Sequence, residues 1–217
     1  MSTPAERPPL DPHPLSPYVA WAGHRNRDPI LETLRTLFPK HEGNILEFAS
    51  GSGMHMHYFA PHFEHLQFHP SDMNEEVMPN IENLTAKSGL LNVRKPRQLD
   101  LTQPHTWPED EEFSAIYCIN IFQVAPVSIA EGMMQCAAKV LAENGFLFIY
   151  GPFMVDGQYL TDSNAEFDRT LRSAGIAEWG LKDVADLNLA AEQHGMRLDK
   201  KIDMPANNFA LIYRRQH

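Results

Sequence analysis

The segment from Asn44 to Gly53, which reads NILEFASGSG, constrains the fold of this chain more than any other stretch. Its first half is apolar enough for a buried β-strand, and its second half consists of small residues that form a tight turn. A helical pattern follows over 54–59. A buried strand that runs through a glycine turn into a helix is typical of an α/β fold with a parallel sheet. Glycines at such a turn let a ligand approach the bare backbone.

The rest of the chain continues the alternation of strands and helices. Strands are predicted over 44–48, 66–69, 97–99, 114–119, 146–150, 197–202 and 208–213. Further helices are predicted over 28–38, 75–88, 129–141, 163–175 and 182–194. This order predicts a doubly wound α/β fold whose seven-stranded, mostly parallel sheet has an antiparallel last strand.

Local signals set the predicted ends of these helices. Asp28 followed by Pro29 predicts a helix that begins there, with aspartate as the N-cap and proline at the first helical position. Ser163 with Glu166 three residues later predicts a capping box. Asn144-Gly145 predicts the close of the helix that begins at 129.

The first 16 residues form a proline-rich tail, which we expect to precede a single domain over 17–217. Prolines at positions 4, 8, 9, 12, 14 and 17 remove backbone donors and fix φ, so regular structure is not expected before the first helix. The tail is interpreted either as a disordered terminus or as a strap that folds over a ligand.

Composition excludes several classes of partner. Lys and Arg number 18 against 28 Asp and Glu, and the net charge of −10 argues against a nucleic-acid partner. The sequence has neither an apolar run long enough for a membrane span nor a signal-peptide core, so a cytoplasmic protein without a membrane partner is expected. The two cysteines, Cys118 and Cys136, fit neither a disulfide scaffold nor a metal site. The oligomeric state is left open.

The glycine turn does not match a dinucleotide fingerprint. The pattern G-x-G-x-x-G fails because Met56 stands at its third glycine. The pattern acidic-x-small-x-Gly-x-Gly, formed by Glu47, Ala49, Gly51 and Gly53, resembles motif I of class I methyltransferases, in which the loop binds S-adenosylmethionine. The structural alternative is an ordinary β–α turn in which Glu47 faces the surface.

Acidic residues follow the next two predicted strands. Asp72, 21 residues after Gly51, lies where a carboxylate can accept both ribose hydroxyls of the cofactor. Asp100 and Leu101 lie where this fold usually holds the adenine amino group. An N-cap or turn aspartate is the structural alternative for Asp72, and an ordinary turn is the alternative for Asp100.

Longer stretches resemble the uncharacterised-domain family 938, which includes methyltransferase-like protein 26 and is similar to class I S-adenosylmethionine-dependent methyltransferases. The matching stretches are residues 25–31, the glycine loop with His55, and residues 67–72, 118–120, 150–153, 162–168 and 204–208. The resemblance implies S-adenosylmethionine as cofactor, and Arg25, Asn26 and His55 as further cofactor-binding candidates. It also leads us to expect a histidine and a tryptophan after the fourth strand, where this chain has Gln123 and Val127.

The candidates for binding and orienting a small-molecule methyl acceptor lie near the ends of strands. Asn120 follows the fourth strand at the crevice where such sheets bind ligands, so it is a candidate for cofactor and acceptor alike. Asn120, Gln123 and Tyr150 are the catalytic candidates, in the sense of orienting the acceptor. Tyr18, His24 and Arg25, which precede the first predicted helix, are candidates for closing the pocket. Asn207 and Asn208 either line the acceptor pocket or serve as turn residues.

The sequence leaves the function open between two classes. The chain is predicted to be an S-adenosylmethionine-dependent methyltransferase, and the alternative is a non-catalytic protein that binds this cofactor for regulation. A nicotinamide-dependent reductase is disfavoured because the third glycine is missing. Histidines at 55, 57, 62, 65 and 69 suggest a metal, but they lack the spacing of a ligand set, and no metal site is predicted.

Overall fold

The computed structural model of the protein describes residues 6–216 and contains a seven-stranded sheet with helices on both faces. The strands are β1 (Gly43–Phe48), β2 (Leu66–Asp72), β3 (Arg97–Gln98), β4 (Phe113–Ile119), β5 (Leu141–Gly151), β6 (Phe153–Met154), β7 (Lys182–Asp183), β8 (Met196–Met204) and β9 (Asn208–Arg215). The helices are α1 (Pro17–Leu37), α2 (Met54–Phe59), α3 (Met78–Ser88), α4 (Ile129–Val140), α5 (Asp162–Arg172) and α6 (Val184–Gln193).

The sheet has the strand order β3-β2-β1-β4-β5-β9-β8. Neighbouring strands from β3 to β5 are parallel, whereas β9 runs antiparallel to both β5 and β8. The predicted fold is therefore confirmed. The chain order reverses beside β1, so the carboxyl ends of β1 and β4 meet at a topological switch point, where α/β folds bind their ligands. Strands β6 and β7 form a separate two-stranded sheet.

Two apolar layers cover the sheet because alternate strand residues point to opposite faces. On one face, Phe148 of β5 belongs to a core with Ile30 of α1 and Phe59 of α2. On the other face, Ile149 belongs to a core with Met133 of α4. Full burial of a side chain of this size contributes about 1.5–3 kcal/mol, so the layers hold the strand ends in fixed positions.

Helix α1 begins earlier than predicted. It starts at Pro17, where the hydroxyl of Ser16 accepts a hydrogen bond from the N–H of Val19 at 3.1 Å. The prediction of a start at Asp28 is therefore wrong, and Pro29 lies inside the helix. Both positions offer a polar residue followed by proline, and the earlier pair forms the cap. A proline within a helix removes only one donor, and the buried face of α1 continues on both sides of it.

Three other helix ends differ from the local signals. Helix α4 ends at Val140, and Asn144-Gly145 lies inside β5, where pairing with β4 shifts register. Helix α5 is capped by Thr161, whose hydroxyl accepts from the N–H of Asn164, so Ser163 lies within the helix and is not its cap. Lys182 pairs in β7, and α6 begins after the Asp183 cap. Strand pairing and a neighbouring cap determine these ends.

The N-terminal segment from residue 6 to residue 16 has neither helix nor strand, yet it contacts the domain. Its last part is a compact turn, in which the N–H of His13 donates to Asp11 Oδ1 at 2.9 Å and the Ser16 hydroxyl donates to the Asp11 carbonyl at 2.7 Å. Pro14 lies against Gly51 of the glycine loop, 3.4 Å from where a Cβ would stand. Residues 1–5 of the predicted tail lie outside the described residues.

No helix within residues 6–216 is both long and apolar enough to cross a membrane.

Candidate functional site

The glycine loop leaves the carboxyl end of β1 with three residues in the left-handed region: Ala49 (φ 53°), Gly51 (φ 55°) and Gly53 (φ 78°). Two glycines suit these angles, whereas Ala49 is strained there. The N–H of Ser50 donates to the carbonyl of Ser71 on β2 at 2.8 Å, which ties the loop to the neighbouring strand. The half-buried backbone of the loop is thus held in a fixed conformation at the switch point.

Asp72 at the end of β2 joins the loop through its carboxylate. Oδ2 accepts the N–H of Gly51 and Oδ1 accepts the N–H of Asn74, both at 2.9 Å. Such charge-assisted bonds are strong and fix the geometry. A carboxylate has about four lone-pair positions, so half of them remain for ligand hydroxyls. The turn role of Asp72 is therefore observed, and its predicted role toward a ribose is compatible with it.

Glu47 lies beneath the loop and is only 3% exposed, so the alternative that it faces the surface is wrong. Strand register sets it beside Tyr117 of β4. Glu47 Oε2 and the Tyr117 hydroxyl are buried and lack a hydrogen-bond partner among the described residues. Burial, with a smaller contribution from the Asp72 carboxylate, raises the pKa of Glu47 to about 8. A buried acceptor without a donor is unfavourable, and it fits a ligand that brings a donor or a positive charge.

Helix α1 crosses the start of α2 closely enough to bring two further candidates together. Gly23 faces Met54 and His55, and a Cβ on this glycine would lie 2.4 Å from the Met54 sulfur. His55 Nε2 lies 2.7 Å from the side-chain oxygen of Asn26. Burial lowers the pKa of His55 to about 4, with smaller contributions from Arg27 and His24. His55 is therefore neutral at pH 7 and donates its proton to Asn26.

Asp100 and Leu101 follow β3 in a turn that uses the carboxylate locally. Asp100 Oδ1 accepts the N–H and the hydroxyl of Thr102 at 2.8 and 2.7 Å, and Oδ2 accepts the Gln103 amide at 2.8 Å. The carbonyl of Leu101 lies against Gly132 of α4, 1.9 Å from where a Cβ would stand. These contacts fit the turn interpretation of Asp100, and a contact with adenine stays a prediction.

Asn120 and Gln123 meet above the end of β5. Asn120 has φ 58°, and its N–H donates to the carbonyl of Tyr150 at 2.8 Å. The Gln123 amide donates to the carbonyl of Asn120 at 2.9 Å. A Cβ on Gly151 would lie 3.8 Å from the side-chain oxygens of both Asn120 and Gln123. The fold therefore gathers two neutral, half-buried amides beside the buried Gly151, next to the switch point.

Tyr150 and Cys118 are ionisable side chains near the carboxyl ends of β5 and β4. The Tyr150 ring belongs to the apolar layer under α1, and burial raises its pKa to about 12. Burial also raises the pKa of the Cys118 thiol well above its usual range. Both groups keep their protons at neutral pH. Tyr150 is therefore no general base, and any role of its hydroxyl is that of a hydrogen-bond donor.

Asn207 and Asn208 form the turn between β8 and β9. The Asn207 amide donates to the hydroxyl of Thr161 at 3.0 Å, and the Asn164 amide donates to the carbonyl of Asn207 at 3.3 Å. The Asn208 amide donates to the carbonyl of Pro205 at 3.0 Å. Both asparagines thus have turn roles, and Asn207 ties this turn to the start of α5. Their predicted contact with an acceptor stays a prediction.

A buried carboxylate that the sequence did not single out supports the same region. Asp168 of α5 is 1% exposed and accepts bonds from the Tyr159 hydroxyl at 2.8 Å, Arg172 Nε at 2.7 Å and the N–H of Leu181 at 2.6 Å. The preceding N–H, of Gly180, donates to the carbonyl of Gln123 at 3.0 Å. Asp168 therefore fixes the loop that holds Gln123. Its sequence signals were its place in the matching stretch 162–168 and the i, i+4 pair with Arg172, and neither indicated that it is buried.

Tyr18 and Arg25 lie on the exposed side of α1, beside the N-terminal segment. The guanidinium of Arg7 donates to the Tyr18 hydroxyl at 3.4 Å and lies 5.5, 5.9 and 5.7 Å from the ring centroids of Tyr18, Trp21 and Phe167. The guanidinium of Arg25 lies 4.7 Å from the Trp21 ring centroid. Tyr18 is thus in contact with the N-terminal segment, whereas His24 is exposed nearby.

The other histidines of the cluster over 55–69 each have a different partner within the protein. Within residues 6–216, no group of three or more His, Cys, Asp or Glu side chains is arranged to hold a metal ion. In the cluster over 55–69, the partners of the other four histidines are Gly53 and Thr85 for His57, Arg35 for His62, Pro39 for His65 and Asn44 for His69.

One protein-family model matches nearly the whole domain. The model of the family described as "Protein of unknown function (DUF938)" matches residues 17–215. The chain belongs to this family. The resemblance that the motifs indicated is thereby confirmed, while the family description assigns no activity.

Several solved structures with the same fold are methyltransferases of low sequence identity to this chain. Mitomycin 7-O-methyltransferase superposes with a TM-score of 0.75 at 11% identity, over 91% of this chain and 55% of that chain. CalO1, a methyltransferase of calicheamicin biosynthesis with S-adenosylhomocysteine bound, gives a TM-score of 0.73 at 14% identity, over 91% and 55%. A protein from Galdieria sulphuraria, proposed to be a sarcosine dimethylglycine methyltransferase, gives 0.68 at 13%, over 95% and 91%.

These likenesses show the class I methyltransferase fold, and at such identities they show the fold alone. The chain spans about half the length of the first two structures.

Proposed function

We propose that this protein binds S-adenosylmethionine at the glycine loop and transfers its methyl group to a small-molecule acceptor. The observation that carries the proposal is the buried Glu47 Oε2, which has no hydrogen-bond partner among residues 6–216 and lies beneath a half-buried loop at the switch point. The amino group of S-adenosylmethionine is a cationic donor, which is the kind of group that this carboxyl lacks.

The other residues around the loop fit the rest of this cofactor. The free lone pairs of Asp72 suit the ribose hydroxyls, and the half-buried glycine backbone at Gly51 suits close approach of the ligand. Asn26 and His55 form the wall on the α1 side, where a neutral histidine adds no charge to repel a sulfonium. Bound there, the cofactor supplies an activated methyl group.

The acceptor is proposed to lie against the half-buried amides of Asn120 and Gln123, at the carboxyl ends of β4 and β5. Amide groups donate and accept hydrogen bonds but do not remove protons at neutral pH. The nearby phenol and thiol also stay protonated. The acceptor is therefore expected to bring its own nucleophile, such as a thiolate, carboxylate or amine. Positioning can then supply much of the rate enhancement, roughly 7–11 kcal/mol in favourable intramolecular models.

Binding of the cofactor is the first test of this proposal. Isothermal titration with S-adenosylmethionine and S-adenosylhomocysteine should give saturable heats, and both ligands should raise the melting temperature, since they bind the native state. No heat and no shift at millimolar concentration would refute the cofactor assignment.

Turnover is the second test. Incubation with S-adenosylmethionine and a fractionated metabolite extract should produce S-adenosylhomocysteine in some fractions, and Gln123→Ala should reduce that product. Binding without any turnover would instead favour the non-catalytic cofactor-binding role.

A further inference from the structure

The N-terminal segment, residues 6–16, is fastened to the domain by the side chain of Arg7. Its guanidinium lies 5.5, 5.9 and 5.7 Å from the ring centroids of Tyr18, Trp21 and Phe167, so it contacts α1 and α5 at once. No carboxylate in the described part of the chain forms an ion pair with Arg7. Because Arg7 is exposed and exposed cation–π contacts are weak, this attachment can be released.

The other end of the segment is anchored beside the glycine loop. Pro14 lies against Gly51, 3.4 Å from where a Cβ on that glycine would stand. Hydrogen bonds from His13 and Ser16 to Asp11 form a compact turn, and the Ser16 hydroxyl caps α1. The segment is therefore hydrogen-bonded at the start of α1, whereas its far end is held by the three rings.

Between these two attachments the segment is loosely packed. Residues 10–12 line a groove of about 390 Å³ together with Thr170, Ser173, Ala174 and Trp179. A well-packed contact leaves no gap of this size. The middle of the segment can therefore move away from α5 without disrupting a packed core.

The segment contacts structures on both sides of the crevice at the switch point. Trp179, which lines the groove, precedes Gly180, whose N–H donates to the carbonyl of Gln123 at 3.0 Å. Gln123 follows β4 and Gly51 follows β1, and these two strands are neighbours in the sheet. The segment thus bridges the glycine loop and the support of the acceptor amide.

We propose that the N-terminal segment is a gate over this crevice, which opens when Arg7 leaves its three rings and closes when it returns. The proposal rests on the proposed function for the ligand that passes the gate. Prolines at positions 8, 9, 12 and 14 fix φ, so the segment swings as a stiff arm from the start of α1. When it is closed, the gate excludes water from methyl transfer and delays release of the product.

The first test measures the rate constants of S-adenosylhomocysteine binding by surface plasmon resonance. Arg7→Gln should raise both the association and the dissociation rate constants about 10-fold, since it weakens the closed state with and without ligand. The dissociation constant should change by less than about 3-fold, because the contacts of the ligand itself are kept. Phe167→Leu should act in the same direction, and Arg7→Lys, which retains a cation, should lie between wild type and Arg7→Gln. Arg94→Gln is the matched control, since Arg94 is an exposed arginine of another loop.

Wild-type rate constants in both Arg7→Gln and Phe167→Leu would overturn the gate. Weaker binding at an unchanged association rate would also overturn it, because the segment would then be a fixed wall of the site.

The second test needs no cofactor. Cleavage of the ligand-free protein by subtilisin within residues 6–16, followed by mass spectrometry, reports the open population. Arg7→Gln should raise the cleavage rate about 10-fold over wild type and Arg94→Gln, and an equal rate would overturn the role of Arg7. Absence of S-adenosylhomocysteine binding to the wild type would refute the proposed function separately.

Discussion

The buried carboxyl of Glu47 should make the stability of the protein fall as pH rises. Its pKa is about 8 in the folded protein against an ordinary 4.5, so the folded state keeps a proton that the unfolded chain loses. The favourable contribution of this proton is complete below pH 4.5 and is lost progressively until the pH reaches about 8. At 1.36 kcal/mol per pH unit, the loss between pH 5 and pH 8 is about 4 kcal/mol.

Glu47→Gln should abolish this loss, because glutamine has nearly the same shape and no titrating proton. Urea unfolding between pH 5 and pH 8, followed by tryptophan fluorescence, gives the free energy of unfolding for each protein. Glu143→Gln serves as the matched control, since Glu143 is an exposed glutamate of β5. The control should keep the wild-type slope.

The comparison between variant and wild type is essential, because two histidines act in the opposite direction. Burial lowers the pKa of His55 and of His69 to about 4, so their contribution to stability is lost as pH falls below 6.5. These terms are common to both proteins and cancel in the difference. Parallel pH profiles for wild type and Glu47→Gln would refute the assignment of a buried proton to Glu47.

The same carboxyl links pH to cofactor binding. A cationic amino group beside Glu47 favours its charged form, so binding of S-adenosylmethionine at pH 7 should release close to one proton. Titrations in buffers of different ionisation enthalpy count that proton directly. Glu47→Gln should release none and should bind more weakly. If both proteins release the same number of protons on binding, Glu47 does not contact the amino group of the cofactor.

Three other side chains give independent predictions. Asp72→Ala should weaken S-adenosylmethionine binding by about 1.5–3 kcal/mol in calorimetry while circular dichroism stays native, and an unchanged dissociation constant would leave Asp72 with its turn role alone. Gln123→Ala should lower acceptor turnover and keep cofactor affinity within a factor of about 2, since a neutral amide is lost only from the acceptor side. An equal loss of turnover and of cofactor affinity would mean that Gln123 binds the cofactor. Asp168→Asn should lower the free energy of unfolding by about 3 kcal/mol, because a buried carboxylate loses charged bonds, and a loss below about 1 kcal/mol would contradict that role.

The sheet could be predicted from sequence because its strands are short apolar runs separated by helical patterns. The helix ends were less predictable, since several local signals compete. Pro29 and Pro17 each follow a good capping residue, and only the packing of the whole of α1 decides between them. Asn144-Gly145 has the composition of a helix stop, yet pairing with β4 draws the segment into β5.

The residues of the candidate site could be identified from local sequence spacing, but their contacts with distant parts of the chain could not. Glu47, Gly51 and Asp72 were identified from spacing, and the structure brings them together at the ends of β1 and β2. The contact of Glu47 with Tyr117 depends on the register of two strands about 70 residues apart in sequence, which no local pattern fixes. Asp168 was missed for a similar reason, because its partner Leu181 lies beyond the end of α5.

Strain at the switch point connects the fold to the proposed chemistry. Ala49 and Asn120, at the carboxyl ends of the adjacent strands β1 and β4, both adopt left-handed angles that cost of order 1–3 kcal/mol for residues other than glycine. Each is held by cross-strand bonds next to it, from Ser50 to Ser71 and from Asn120 to Tyr150. Such angles persist only where the surroundings enforce them. Here they turn the chain sharply at the two strand ends that flank the crevice. The same bonds that stabilise the sheet thus hold the glycine loop and the acceptor amides in their relative positions.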